Sequence, residues 1–132
     1  MRLLEYEAKQ LLAAVGIPTP REAVVSSPAE AAAFARELGA PVVLKAQVPV
    51  GGRMKAGGVL FASTPEATER AARKLLGKTI RGCAVERVSV QEEVKEQAKF
   101  YLAVTFDAAA RRAVLLASDE GGIEVESATR VM

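Results

Sequence analysis

Histidine is absent from this chain, which removes the commonest general base and the usual activator of a serine or cysteine nucleophile. Ser-His and Cys-His hydrolase schemes are therefore excluded. Cys83 is the only cysteine, so no internal disulfide can form, and without histidine a zinc site is close to excluded. Cys83 itself reads as an inert small residue near a turn. Tryptophan is missing and aromatics make up 5% of the residues, so the core must be built from Val, Leu, Ile and Ala. The same poverty argues against stacking of single-stranded nucleic acid. Lys and Arg number 18 against 16 Asp and Glu, a balance that argues against a dedicated nucleic-acid binder. No apolar run is long enough to span a bilayer and no signal-peptide pattern is present, so the chain reads as cytoplasmic. Asparagine is also lacking while Ala, Arg and Glu abound, which is compatible with a GC-rich or thermophilic source.

What remains is a half-hydrophobic chain of 132 residues, enough for one compact domain or two small lobes. Leu3 to Val15 reads as an amphipathic helix whose Leu4, Ala8, Leu11, Leu12 and Val15 share a face, destined for a core or a subunit interface. Gly16 is a candidate C-cap, and Pro18 and Pro20 stop the helix. Glu22 to Val25 is a short strand. Ser27-Pro28-Ala29-Glu30 has the chemistry of a capping box and opens a helix that ends at Gly39. Thr64-Pro65-Glu66 repeats that chemistry for a helix ending at Gly77. Between them lie strands Val42 to Gln47 and Val59 to Ala62, and Val85 to Val94 follows as a longer strand. Two helices can thus cover one face of an antiparallel or mixed sheet and leave the other face open to a ligand. Beyond a hinge at Lys95 to Lys99 the pattern changes. Phe100 to Phe106 and Arg112 to Ser118 flank a hairpin turn at 107–111, and Ile123 to Glu126 reads as a third strand. No helix covers these strands.

The most informative stretch runs from Lys45 to Gly58. Strand Pro41-Val42-Val43-Leu44 delivers Lys45, and two glycine pairs, Gly51-Gly52 and Gly57-Gly58, bracket Arg53 and Lys55. Glycine lets backbone N–H groups approach an anion closely, and the cations add positive charge at the same place. Polyphosphate handling wants both. The plainer reading is a flexible basic hairpin loop, because the pattern is neither a Walker loop nor a GxGxxG fingerprint.

Several stretches together resemble the N-terminal third of the succinyl-CoA synthetase β subunit family, whose members are ATP-grasp proteins. They are Leu4-Glu5-Tyr6-Glu7-Ala8-Lys9-Gln10-Leu11-Leu12, Gly16-Ile17-Pro18, the strand and loop at 43–59, Tyr101-Leu102-Ala103-Val104, and 112–124. The resemblance implies an α+β fold: an ATP-grasp small lid lobe at 21–97 with a mixed sheet and helices on one face, and the first strands of a second lobe made by 1–20 and 98–132. It implies ATP as the ligand, with Lys45 on phosphate and the family's phosphate triplet at Gly52, Arg53 and Met54. Gln91, Val94 and Lys99 fall at the family's remaining nucleotide positions. The family reaction joins succinate and CoA at the expense of ATP, through a phosphohistidine on a partner α subunit, so the missing histidine is no objection.

Three departures follow from the same alignment. Met54 stands where the family has glycine, and either crowds the phosphates or takes a backbone angle costing roughly 1–2 kcal/mol. Gln91 replaces an acid at the nucleotide hinge, unless a slip in register gives that role to Glu92 or Glu93. Lys99 replaces a second acid. The family's Mg²⁺ ligands and its succinate- and CoA-proximal segments fall beyond residue 132, so the chain is not expected to catalyse alone, and no catalytic or metal residue is assigned. A partner chain, either the α subunit or the missing C-terminal half, is one expectation. The other is a degenerate, non-catalytic interaction module, homodimeric through its uncovered strands.

Overall fold

A computed structural model describes residues 2–39, 41–119 and Gly121. The chain divides into two compact units, Met1–Val94 and Lys95–Met132. The first contains helix α1 (Glu5–Ala14), strand β1 (Glu22–Val25), helix α2 (Pro28–Leu38), strands β2 (Val42–Ala46) and β3 (Val59–Ala62), and helix α3 (Pro65–Leu75). It closes with the short strands β4 (Thr79–Ile80) and β5 (Cys83–Ala84) and with β6 (Val88–Glu92). The second holds β7 (Tyr101–Asp107) and β8 (Arg112–Ser118).

The main sheet has the order β1-β6-β2-β3, and every pairing is antiparallel. Side chains alternate strictly across it. Val25, Val42, Leu44, Ala46, Ala62, Val88 and Val90 are buried and form one core with Ala31 and Ala35 of α2 and Ala71, Ala72 and Leu75 of α3. Alanine on both helices removes bulk where they pack together and onto the sheet. The intervening positions, Glu22, Lys45, Ser89 and Gln91, face the other side, with Lys45 opposite Ser89 and Glu22 opposite Gln91.

The two capping motifs form as read. Ser27 Oγ accepts the Glu30 N–H while the Glu30 carboxylate accepts the N–H groups of Ser26 and Ser27, both at 3.0 Å. Those backbone donors hold the Glu30 carboxyl below its ordinary range. Gly39 ends α2 in the left-handed conformation, and Gly77 lies just past the C-cap Leu76 of α3.

Two local expectations fail. The segment before β6 is not one long strand from Val85; a β4–β5 hairpin precedes it, turning at Arg81 and Gly82, which both have positive φ. And of the two places read for the leucine stripe of α1, a core or a subunit interface, the core of this chain is not one. The helix has no buried residue, and Leu11, Leu12 and Val15 are 59%, 43% and 75% exposed. The sheet face it meets carries Glu22, Lys45 and Gln91 among its valines, and the helix turns Glu5 and Lys9 towards them instead.

In the second unit β7 and β8 form an antiparallel pair, with Asp107 Oδ1 accepting the N–H groups of Ala109 and Ala110 in the turn. The third strand expected at Ile123 to Glu126 lies outside the described residues.

Thr64 Oγ1 accepts the Ala67 N–H at 3.1 Å and caps α3. Thr64→Ala should lower unfolding free energy by about 1 kcal/mol, read as a shift in urea midpoint without a change in slope.

Candidate functional site

The site lies on the sheet face opposite α2 and α3. Lys45 projects from it at the end of β2, and its Nζ donates to Glu5 Oε1 of α1 at 2.7 Å and to Gln91 Oε1 of β6 at 3.2 Å. Arg53 reaches back from the glycine loop, giving Nη1 to the Ala46 carbonyl at 2.8 Å and Nη2 to Glu5 Oε2. Lys9, one turn along α1, donates to Glu22 at 2.8 Å and to Gln91 Oε1 at 2.6 Å, and lies 3.2 Å from Glu5. One carboxylate thus touches three cations.

Burial alone would raise the Glu5 carboxyl. The Lys45 hydrogen bond and charge, the Arg53 hydrogen bond and the Lys9 charge outweigh it and hold the group at about 2. Gln91 supplies a neutral oxygen shared by both ammoniums, and Gln47, buried beneath, donates to Lys45 O and Ser89 Oγ and accepts the Tyr6 N–H.

The loop between β2 and β3 is a wound turn. Ala56 N–H donates to Gly52 O, Gly57 N–H to Met54 O and Gly58 N–H to Arg53 O. Gly52 has φ +68, and a Cβ there would meet the Arg81 guanidinium at 2.8 Å. Gly58 is buried, and a Cβ would meet Ile80 Cδ1 at 2.7 Å and Arg53 O at 3.1 Å. Lys78 Nζ donates to the Ala56 and Gly57 carbonyls. Met54 is 45% exposed and is not among the positive-φ residues, which corrects the expected backbone strain there.

Of the sequence-nominated residues, the structure brings Lys45, Arg53 and Gln91 together, with Gly52 and Met54 on the adjoining loop. Val94 is exposed at the end of the first unit. Lys99 lies in the second unit, paired with Glu96 at 2.6 Å. Glu92, the alternative acid, accepts the Arg21 N–H, and Glu93 donates its backbone N–H to Pro41 O. Sequence reasoning missed Glu5, Lys9, Lys78 and Arg81. The charges of α1 at i and i+4 were visible, but the targets of Glu5, 40 and 48 positions away, were not.

A wound glycine loop with cations, set beside a strand lysine on the open face of an antiparallel sheet, is what an ATP-grasp lobe presents. Residues 2–131 match the ATP-grasp domain family, and the chain belongs to it. The succinate–CoA ligase [ADP-forming] β subunit of Roseiflexus sp. (strain RS-1) is 48% identical over 98% of this chain. The GDP-forming counterpart of Thermus thermophilus is 45% identical over 96%. The chain spans about a third of the length of these relatives, 34% and 33%. Among solved structures, a dinucleotide-forming acetyl-coenzyme A synthetase of Ca. Korarchaeum cryptofilum, in complex with coenzyme A and Ca-AMPCP, superposes with a TM-score of 0.80. It is 28% identical, covering 98% of this chain and 59% of that one.

The family implies ATP, typically with Mg²⁺. Among the described residues no three His, Cys, Asp or Glu side chains cluster for a metal. Glu5 and Glu22 are already paired with cations. These residues do not fit a Mg²⁺ site by themselves. No helix among them is long and apolar enough to cross a membrane.

Because Glu5 titrates lower when folded than its ordinary 4.5, it stabilises the fold fully above that value and loses the contribution as pH falls towards 2. Urea midpoints measured between pH 5 and 2 should therefore decline less steeply in Glu5→Gln than in the parent chain.

Proposed function

We propose that this chain grips the phosphates of ATP for an acid–CoA ligase of the succinate–CoA ligase β type. The observation that carries the reading is the convergence of Lys45 and Arg53 on one anion position beside the glycine loop. Two cations from different elements, held about a partly buried point, act on phosphate charge more strongly than they would in water. Arg81 over Gly52 adds a third cation at the loop. The backbone of the loop is already wound, so little ordering cost remains on binding.

In this reading Gly52, Arg53 and Met54 line the phosphates, and Gln91, Val94 and Lys99 belong to the nucleotide site. The lid lobe at 21–97 and a second lobe from 1–20 and 98–132 are part of the same proposal. So are succinate and CoA as substrates of the complete ligase and an α subunit as the carrier of the phosphorylated histidine. This stretch supplies the nucleotide grip. Metal and acyl chemistry belong, in this reading, to the remainder of the complete ligase.

A second reading is an interaction module that pairs with a copy of itself. It is favoured by the exposed apolar row Leu102, Val104 and Phe106 on β7, 65–74% accessible, with Leu115 opposite Val104. Light scattering distinguishes the two: a dimer dispersed by Val104→Lys, with no response to nucleotide, favours the module.

The nucleotide reading is tested by thermal unfolding with ATP and ADP. Ligand at about 100 times its dissociation constant should stabilise the fold by roughly 2.7 kcal/mol. Lys45→Ala should abolish the shift and Arg81→Ala should reduce it. No shift in the parent chain at millimolar nucleotide would sink the reading.

A further inference from the structure

We propose that Glu5 is an internal anion occupying the phosphate position between Lys45 and Arg53, and that a polyphosphate binds by displacing it and releasing α1 from the sheet. The proposal rests on the nucleotide reading above and adds the regulation of that site.

Both carboxylate oxygens are in use, Oε1 on Lys45 and Lys9 and Oε2 on Arg53, which is how a phosphate oxygen pair would bridge the same cations. The cations have other commitments as well: Lys45 to Gln91 and Arg53 to the Ala46 carbonyl. A phosphate cannot take the position between the two cations while the carboxylate occupies it, because two anions about 3 Å apart repel strongly. The incoming anion must exchange with Glu5.

The helix carrying Glu5 is built for release. No residue of α1 is buried. Beyond the ion pairs, four hydrogen bonds tie this end of the chain to the sheet and its loops: Lys9 to Gln91 Oε1 at 2.6 Å, Arg2 to Pro49 O at 3.0 Å, Tyr6 N–H to Gln47 at 3.4 Å, and Arg87 to Tyr6 Oη at 3.0 Å. Undocking thus uncovers the half-buried Tyr6 and Ala8 but no fully buried side chain of α1. The ion pairs that it loses at Lys45 and Arg53 are remade to phosphate. Docking and binding are then reciprocal, so anything that weakens the helix contact strengthens phosphate binding by the same factor.

The experiment is isothermal titration of ATP and of inorganic tripolyphosphate into the parent chain, Glu5→Gln and Tyr6→Phe, with amide hydrogen exchange of residues 5–14. Glu5→Gln should bind both ligands at least about threefold tighter. Tyr6→Phe keeps every charge near Lys45 and should still tighten binding, by up to about twofold, because it loosens only the helix. Amides of α1 should exchange faster in the saturated parent chain. Unchanged or weaker binding by Glu5→Gln, or undiminished protection of α1 at saturation, overturns the proposal while leaving the nucleotide reading standing. Glu5-dependent tripolyphosphate binding without any ATP binding overturns the nucleotide reading alone. No binding of either probe by any variant overturns both.

Discussion

The register of β2 against β6 is the constraint from which the rest follows. With Leu44 opposite Val90 and Lys45 opposite Ser89, one face of the sheet carries the apolar core and the other carries Lys45, Ser89, Gln91 and Glu22 among its valines. A slip of β2 by one residue would turn Lys45 under the helices and Leu44 out, and a slip of β6 would do the same with Ser89, Gln91 and Val90. The core residues that reject such a slip, Val42, Leu44, Ala46, Val88 and Val90, therefore also fix where the lysine points. Site and core are two sides of one pattern.

A polar face with a partly buried lysine needs partners, and α1 supplies them. Among the groups that meet there, Lys9, Lys45 and Arg53 are positive and Glu5 and Glu22 negative, so the cluster keeps an excess of 3 − 2 = 1 positive charge. The pairing keeps the cations ordered, and the surplus is the charge that the proposed phosphate would meet. Gln91 fits the same logic. A carboxylate in its place would cancel the surplus, whereas the amide oxygen accepts from both lysines and leaves it intact.

Much of the fold was legible because it is written in local chemistry. Ser27-Pro28 and Thr64-Pro65 announce helix starts through one hydroxyl and one fixed φ, and Val88-Ser89-Val90-Gln91 announces a strand by alternation. What failed was what local pattern does not hold. The α1 stripe of Leu11, Leu12 and Val15 showed which side of the helix is apolar, but not that the available sheet face is polar. Burial is decided by the partner. The β4–β5 hairpin was missed because Arg81 takes a left-handed turn position usually given to Gly or Asn; Gly82 beside it was the available signal. In the site, Lys45 and Arg53 were readable from strand end and loop composition. Glu5 was not, because its contact with Arg53 spans 48 positions of sequence.

The glycines of the loop serve a different purpose from the one their number suggests. A flexible flap would need them only for freedom. Here Gly58 is buried against Ile80 and the Arg53 backbone, and Gly52 leaves room for the Arg81 guanidinium, so both positions exclude a side chain for reasons of space. The hairpin thus sets the loop from one side, with Ile80 wedged at Gly58 and Lys78 bonded to the Ala56 and Gly57 carbonyls. Arg53 ties it from the other through Ala46 O. A loop fixed at both ends holds its cations without ligand. Under the displacement proposed above it is the facing helix that moves, held to the sheet through the ion pairs of Glu5 and Lys9.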